Sequence, residues 1–214
     1  DMFDMEPAPI RESMLHTVVL SDVTIEKIQV EAKGRIPVIG MVPNQITTEF
    51  LREEVPSQNG WFVPDKIYSK LCVIERHRGT GNVQAAPLKG YGITGGAIAT
   101  SVAHDSHNII AVGDRDEDIL AAVKAMEELQ GGYVLVSKGE VIGTLPLPIA
   151  GLLSMEPSRK IQETIDEMLK KAWDMGISRE IDPFITLSFM ALPVIPELRL
   201  TDQGLVDVTH FQLL

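Results

Sequence analysis

Two of the chain's five histidines, His104 and His107, stand three positions apart in the stretch Ala103-His104-Asp105-Ser106-His107-Asn108. Imidazole gains and loses a proton near neutral pH, and a neighbouring carboxylate can orient it or charge it. These residue types suit proton transfer, hydrogen bonding to a polar substrate or metal ligation. The stretch separates two apolar runs, AIATSV at 97–102 and IIAV at 109–112. In one continuous strand the two histidines would face opposite sides. In a tight turn or helix, a separation of three brings them together. Asp105, Ser106 and Asn108 favour turns. The economical expectation is a turn between two strands, presenting both imidazoles and a carboxylate from a rigid base. The alternative is a loop whose polar side chains cap strand ends and bond to backbone. Two histidines fall short of a complete metal site, and paired cysteine and histidine patterns of the zinc type are missing.

A second cluster, Glu75-Arg76-His77-Arg78-Gly79-Thr80-Gly81-Asn82, follows the apolar run LCVI at 71–74. Its glycines beside Thr80 and Asn82 could offer backbone amides to an anion or a base edge. Their spacing fits neither the P-loop nor the dinucleotide fingerprint. For Arg76 and Arg78 the favoured reading is an arginine–carboxylate ion pair at a strand end, which leaves Glu75 and His77 as the open polar groups. The third stretch, LPLPIAGLLS at 145–154, carries two prolines that hold an extended segment without backbone donors. It reads as a rigid connector rather than a ligand groove. His16 and His210 stand alone as structural or surface histidines.

The elements that must position these groups are legible in outline. Strand-like runs occupy 16–20, 25–30, 35–42 and 71–75, and residues 43–69 read as loop-rich around Pro43, Pro56, Gly60 and Pro64. Six glycines between 79 and 96 suggest close turns. Residues 115–130 have apolar side chains at helical spacing (Ile119, Leu120, Val123, Met126, Leu129). Asp114 is the expected cap, with Glu117 reaching back, and Gly131-Gly132 the stop. Strands at 133–136 and 141–144 flank Ser137-Lys138-Gly139-Glu140 as a hairpin. A second amphipathic helix spans 158–175, and 198–208 reads as two short strands about a turn. The fold class is α/β (α+β): a mixed β-sheet packed by two main amphipathic helices, with a strand-rich N-terminal portion. The irregular order argues against a doubly wound fold. The whole of 1–214 reads as one domain, with residues 1–15, including Met2, Met5, Pro7 and Pro9, as a lead-in segment.

Composition narrows the function classes. The formal charge of −11 over 214 residues repels phosphate backbones, so nucleic-acid binding is not expected. The lone Cys72 cannot form an internal disulfide, which fits a reducing compartment and a cytoplasmic location. No apolar run approaches the roughly 18 residues of a membrane span. The acidic N-terminus lacks a signal-peptide core.

Taken together, VIERHRGTGN at 73–82, KGYGITGGAIATSVAHDSHNIIAVG at 89–113, DEDILAAV at 116–123, GGYVLVSKGEVIGTLPLPIAGLLS at 131–154 and DPFITLSFMALPVIPELRLTDQGLVDV at 182–208 resemble the C-terminal domain of adenine deaminases of the amidohydrolase superfamily. The likeness keeps its order over nearly the whole chain. VQAAPL at 83–88 and Thr94-Gly95 depart from the more glycine-rich and basic pattern of the family.

The resemblance implies a hydrolase of carbon–nitrogen bonds in cyclic amidines, a purine-salvage enzyme that turns adenine and water into hypoxanthine and ammonia. It also implies that iron or manganese activates the water in an N-terminal barrel domain outside this chain. No metal ligand set is expected here: the superfamily's His-x-His pair is missing and the other histidines are few. The chain begins at Asp1, and the expectation is a C-terminal portion of a longer enzyme, inactive alone. Its partners would be adenine, the barrel and a homo-oligomeric copy. In that setting His104, Asp105 and His107 are the candidate catalytic groups, Asn108 orients them, and Glu75 and His77, with Asn108, are the candidate substrate contacts. The competing expectation is a packing or assembly module, or an independent small-molecule binder.

Overall fold

The structure, a computed structural model, describes residues 9–214. The expectations for Met2, Met5 and Pro7 lie outside the described residues. In chain order the strands and helices are β1 (Arg35–Met41), β2 (Thr48–Glu54), β3 (Ser57–Gln58), β4 (Trp61–Phe62), β5 (Tyr68–Ile74), β6 (Val83–Lys89), β7 (Gly96–Thr100), β8 (Ile109–Gly113), α1 (Asp116–Leu129), β9 (Gly132–Ser137), β10 (Glu140–Pro146), α2 (Ser158–Asp174), α3 (Pro183–Ser188), β11 (Leu198–Thr201), β12 (Gly204–Asp207) and β13 (Gln212–Leu213). Eight strands form one sheet in the order β10-β9-β7-β8-β5-β6-β1-β2. β1 and β6 run parallel, and the other neighbours are antiparallel, so the sheet is mixed.

Strand alternation divides the core into two layers. Leu71, Val73, Ile98, Ile110, Val112 and Leu135 point to the face covered by α2, α3 and β11. Cys72, Ile74, Ala97, Ala99, Ala111 and Val136 point to the face covered by α1. That second face is built of small side chains near the helix, which lets α1 bring Ile119, Ala122 and Met126 close to the strands. β5, β7 and β8 are buried along their whole length. Both sides of these strands are covered, so their sequences are continuous apolar runs rather than alternations.

Several expectations are corrected. Residues 16–20 are irregular rather than a strand; the Val19 amide donates to the Arg76 carbonyl at 2.8 Å. Within 25–30 the chain makes a 3₁₀ turn at Glu26–Ile28, and only Ile28 is fully buried, so no sheet face is available to it. The supposedly loop-rich 43–69 contains β2, β3 and β4, and the glycine-punctuated 79–96 contains β6. Asp114 does not cap α1. Its carboxylate accepts from the Gly95 and Gly96 amides at 2.7 and 2.9 Å, and Arg115 occupies the cap position without a side-chain bond. α1 ends one residue earlier than the glycine pair suggested, with Gln130 in the left-handed region at φ 60°. The β9–β10 hairpin turns through Lys138 and Gly139, both at positive φ, which suits a two-residue turn of the primed type.

Candidate functional site

The β7–β8 pair supports the histidine loop. Thr100 and Ile110 are directly paired, so the eight residues 101–108 leave and re-enter one rigid hairpin. The loop closes on itself at its middle. The His107 amide donates to the Ala103 carbonyl at 2.6 Å, and the Ala103 amide donates to His107 Nδ1 at 3.2 Å. This reciprocal pair needs His107 at φ 51°. With Nδ1 committed as an acceptor, the neutral ring carries its proton on Nε2. Burial pushes the His107 pKa below its ordinary value; the positive groups of His104, Arg76 and His77 add to this, and Asp105 opposes it. A neutral imidazole donating from Nε2 is the form this geometry selects.

His104 is half-buried. Its amide donates to the Ser188 carbonyl at 2.8 Å, and its ring lies on Phe189 with centroids 5.0 Å apart. The rings of His104 and His107 are 5.8 Å apart. Asp105 and Ser106 are exposed at the tip. The spacing of three therefore brings the imidazoles together in a turn.

The second cluster meets the first. His77 Nε2 donates to the Ser106 carbonyl at 2.7 Å. Glu75, expected as a substrate contact, is 8 % exposed and has both oxygens occupied. Oε1 accepts from the His77 and Arg78 amides at 2.5 and 2.9 Å. Oε2 accepts from the Thr80 amide and hydroxyl at 3.0 and 2.9 Å. Burial raises its pKa, but the bonds from Thr80, His77 and Arg78 outweigh that and leave the carboxyl below the usual range. Glu75 thus builds the loop that carries His77. Asn108 is buried; its Nδ2 donates to Asp202 Oδ1 at 3.2 Å, while Asn82 Nδ2 donates to Asp202 Oδ2 at 3.3 Å. Asn108 Oδ1 has no partner among the described residues.

Arg76 departs from the expected ion pair. It is buried at 1 % exposure, and carbonyl oxygens rather than a carboxylate receive it. Nε donates to the His107 carbonyl, Nη1 to the Thr17 carbonyl and hydroxyl, and Nη2 to the Ala150 carbonyl, at 2.5, 3.1, 3.3 and 3.0 Å. Sequence reasoning also missed Asp202, Phe189 and Thr17. No local spacing links them to residues 104–108, because each arrives from a distant segment. Among the described residues no group of three or more His, Cys, Asp or Glu side chains is placed to hold a metal ion.

The connector at 145–154 borders a cleft of about 310 Å³ against α2, lined by Leu145, Pro146, Pro148, Met155 and Ile161 with Glu156 and Lys160. Leu153 and Met155 beside it are 60 % and 64 % exposed. No helix is long and apolar enough to cross a membrane among the described residues.

Comparison with known proteins bears on the same residues. A family profile described as adenine deaminase C-terminal domain matches residues 45–212, which includes 75–82 and 103–108. The chain is 46 % identical over 201 residues to "Adenine deaminase 2" of Carboxydothermus hydrogenoformans, covering 92 % of this chain and 35 % of that protein. It is 44 % identical over 203 residues to "Adenine deaminase" of Desulfitobacterium hafniense, covering 94 % and 36 %. Against "Adenine deaminase" of Nitratidesulfovibrio vulgaris it is 49 % identical over 180 residues, covering 83 % and 31 %. The chain spans about a third of the length of the curated relatives it matches.

Proposed function

The chain belongs to the adenine deaminase C-terminal domain family, and on that footing we propose that it serves as one domain of an enzyme that hydrolyses adenine to hypoxanthine and ammonia. The observation that carries this reading is the match over residues 45–212, at the level of this domain and no further. In this proposal the metal, iron or manganese, and the remaining catalytic groups belong to the other two thirds of the enzyme, a barrel domain. Residues 1–15 lead in from that domain, the protein works in the cytoplasm in purine salvage, and this chain alone does not turn over adenine.

The loop at 103–108 is assigned to the reaction through its hydrogen-bonding forms. His107, with Nδ1 filled by the Ala103 amide, offers only Nε2–H and suits donation to a purine nitrogen. His104 has no ring hydrogen bond among the described residues and sits beside the exposed Asp105. It is the group assigned to proton exchange with the departing amine. His77 forms the adjacent wall, Glu75 shapes that wall, and Asn108 with Asp202 fixes the base of the loop. The test is adenine turnover by the longer deaminase carrying His104→Ala or His107→Ala. Loss of a positioned proton-transfer group lowers kcat by about 10²-fold or more, and turnover equal to wild type would sink the assignment.

The cleft between β10 and α2, with Leu153 and Met155 exposed beside it, favours a second reading in which the domain packs against the rest of the enzyme or against another copy. Unchanged barrel activity on addition of this chain, together with unchanged turnover of the histidine variants, would favour packing over a share in the chemistry.

A further inference from the structure

Arg76 is a buried guanidinium that hydrogen-bonds to no carboxylate among the described residues, with the Glu75 charge acting on it only from a distance. Such a charge is costly to bury unless its donors are satisfied. Here the compensation comes from carbonyl dipoles of three segments far apart in sequence: Thr17 ahead of the sheet, His107 in the histidine loop and Ala150 in the connector turn. The turn is shaped to receive it. Gly151 stands at φ +72°, and a Cβ there would lie 2.8–2.9 Å from guanidinium atoms. The turn is itself anchored, since the Ser101 hydroxyl donates to the Gly151 carbonyl at 2.5 Å and accepts from the Gly132 amide at 2.8 Å.

We infer that Arg76 is a positioning residue for His107: by gripping the His107 carbonyl from a fixed three-way anchor, it holds the left-handed backbone that lets the Ala103 amide bond to Nδ1, and so holds the ring in its Nε2–H tautomer. A planar fork with donors at three nitrogens spans these carbonyls, and the single ammonium of a lysine does not. The charged and titratable groups facing the ring are His104 and Asp105 from its own loop and Arg76 and His77 from the loop after β5. The clamp itself stands on this geometry. Its consequence for turnover rests on the proposed function.

The experiment is long-range proton–nitrogen correlation NMR of the 214-residue chain with labelled histidine, above the pKa of His107. Wild type is expected to give His107 as a single neutral Nε2–H tautomer. Arg76→Lys keeps the charge and loses the fork. Gly151→Ala keeps the arginine and crowds it. Both are expected to lose the single-tautomer pattern in favour of an average of two. An unchanged pattern in folded Arg76→Lys, or in Gly151→Ala where the first does not fold, overturns the inference. In the longer deaminase the same variants are expected to lower kcat about tenfold or more, with KM changed less than about twofold, as for a group displaced only from its reacting position. A lost tautomer with unchanged kcat would support the clamp and refute the role given to the loop.

Discussion

Replacing Glu75 by glutamine tests whether one carboxylate organises the wall beside the histidine loop. The amide oxygen can keep the place of Oε1 and its bonds from the His77 and Arg78 amides. The amide nitrogen then replaces Oε2, facing the Thr80 amide, a donor against a donor. The Thr80 hydroxyl can rotate and accept instead, so one charge-assisted bond, that from the Thr80 amide, is lost outright. Such a loss costs about 1.5–3 kcal/mol, which puts Glu75→Gln about 2–3 kcal/mol below wild type at neutral pH. For a chain of this size that is a fall in Tm of about 5–10 °C. The pH dependence has a fixed sign. The folded carboxyl titrates below its unfolded value, so its contribution is complete above about pH 4.3 and is lost as pH falls through the folded pKa. The gap between wild type and Glu75→Gln should therefore be full near pH 7 and close in acid. Urea denaturation at a series of pH values measures it. Equal stability at pH 7, or a gap that persists undiminished in acid, would refute the reasoning.

Three further outcomes are expected. Burial pushes the Cys72 thiol up to about 12 and leaves it without solvent contact, so a thiol reagent should label it only at the rate of unfolding. The chain's three tyrosines are all shifted upward: Tyr68 to about 12 through its bond to Glu53 and burial, Tyr91 and Tyr133 through burial and then the charge of Asp182. Tyrosinate absorbance should be nearly silent near pH 10 in the folded protein; the stabilisation from the neutral phenols is full below the unfolded pKa and is lost as pH rises towards the folded values. Arg199 is fully buried and donates to the carbonyls of Ile46, Phe189, Ile195 and Pro196. Arg199→Ala leaves the Ile46 and Ile195 carbonyls without this donor, while those of Phe189 and Pro196 keep the Leu192 and Thr48 amides; with the lost packing and the loosened tie between the chain before β2 and the chain around β11, denaturation should show a loss of about 3–5 kcal/mol.

Much of the architecture is read directly from the chain because it follows from local periodicity. The 3.6-residue recurrence of Ile119, Val123 and Met126 produces α1, the Lys138-Gly139 turn produces the β9–β10 hairpin, and the runs at 97–100 and 109–112 produce the strands that bracket the histidine loop. The failures share a cause. Residues 16–20 and 25–30 have strand-like composition, yet the Val19 amide bonds to the Arg76 carbonyl and the Ile28 amide closes a local 3₁₀ turn on Ile25. Asp114 has the type of a helix cap, yet the two glycine amides at the start of β7 reach it first. Propensity says what a segment tolerates, and tertiary pairing decides which option is used.

The site divides in the same way. Sequence alone determined that two imidazoles and a carboxylate stand together in a turn between buried strands, because turn residues and a separation of three are local properties. It also carried the family assignment, which rests on the order of residues. Only the tertiary structure decided what the individual groups are free to do. Glu75 is filled by its own loop, Asn108 is tied to Asp202 across 94 positions, His107 is held in one tautomer, and Arg76 answers to carbonyls from residues 17, 107 and 150. Buried polar groups must find partners wherever the fold brings them, and those partners lie too far along the chain for any local pattern to name them.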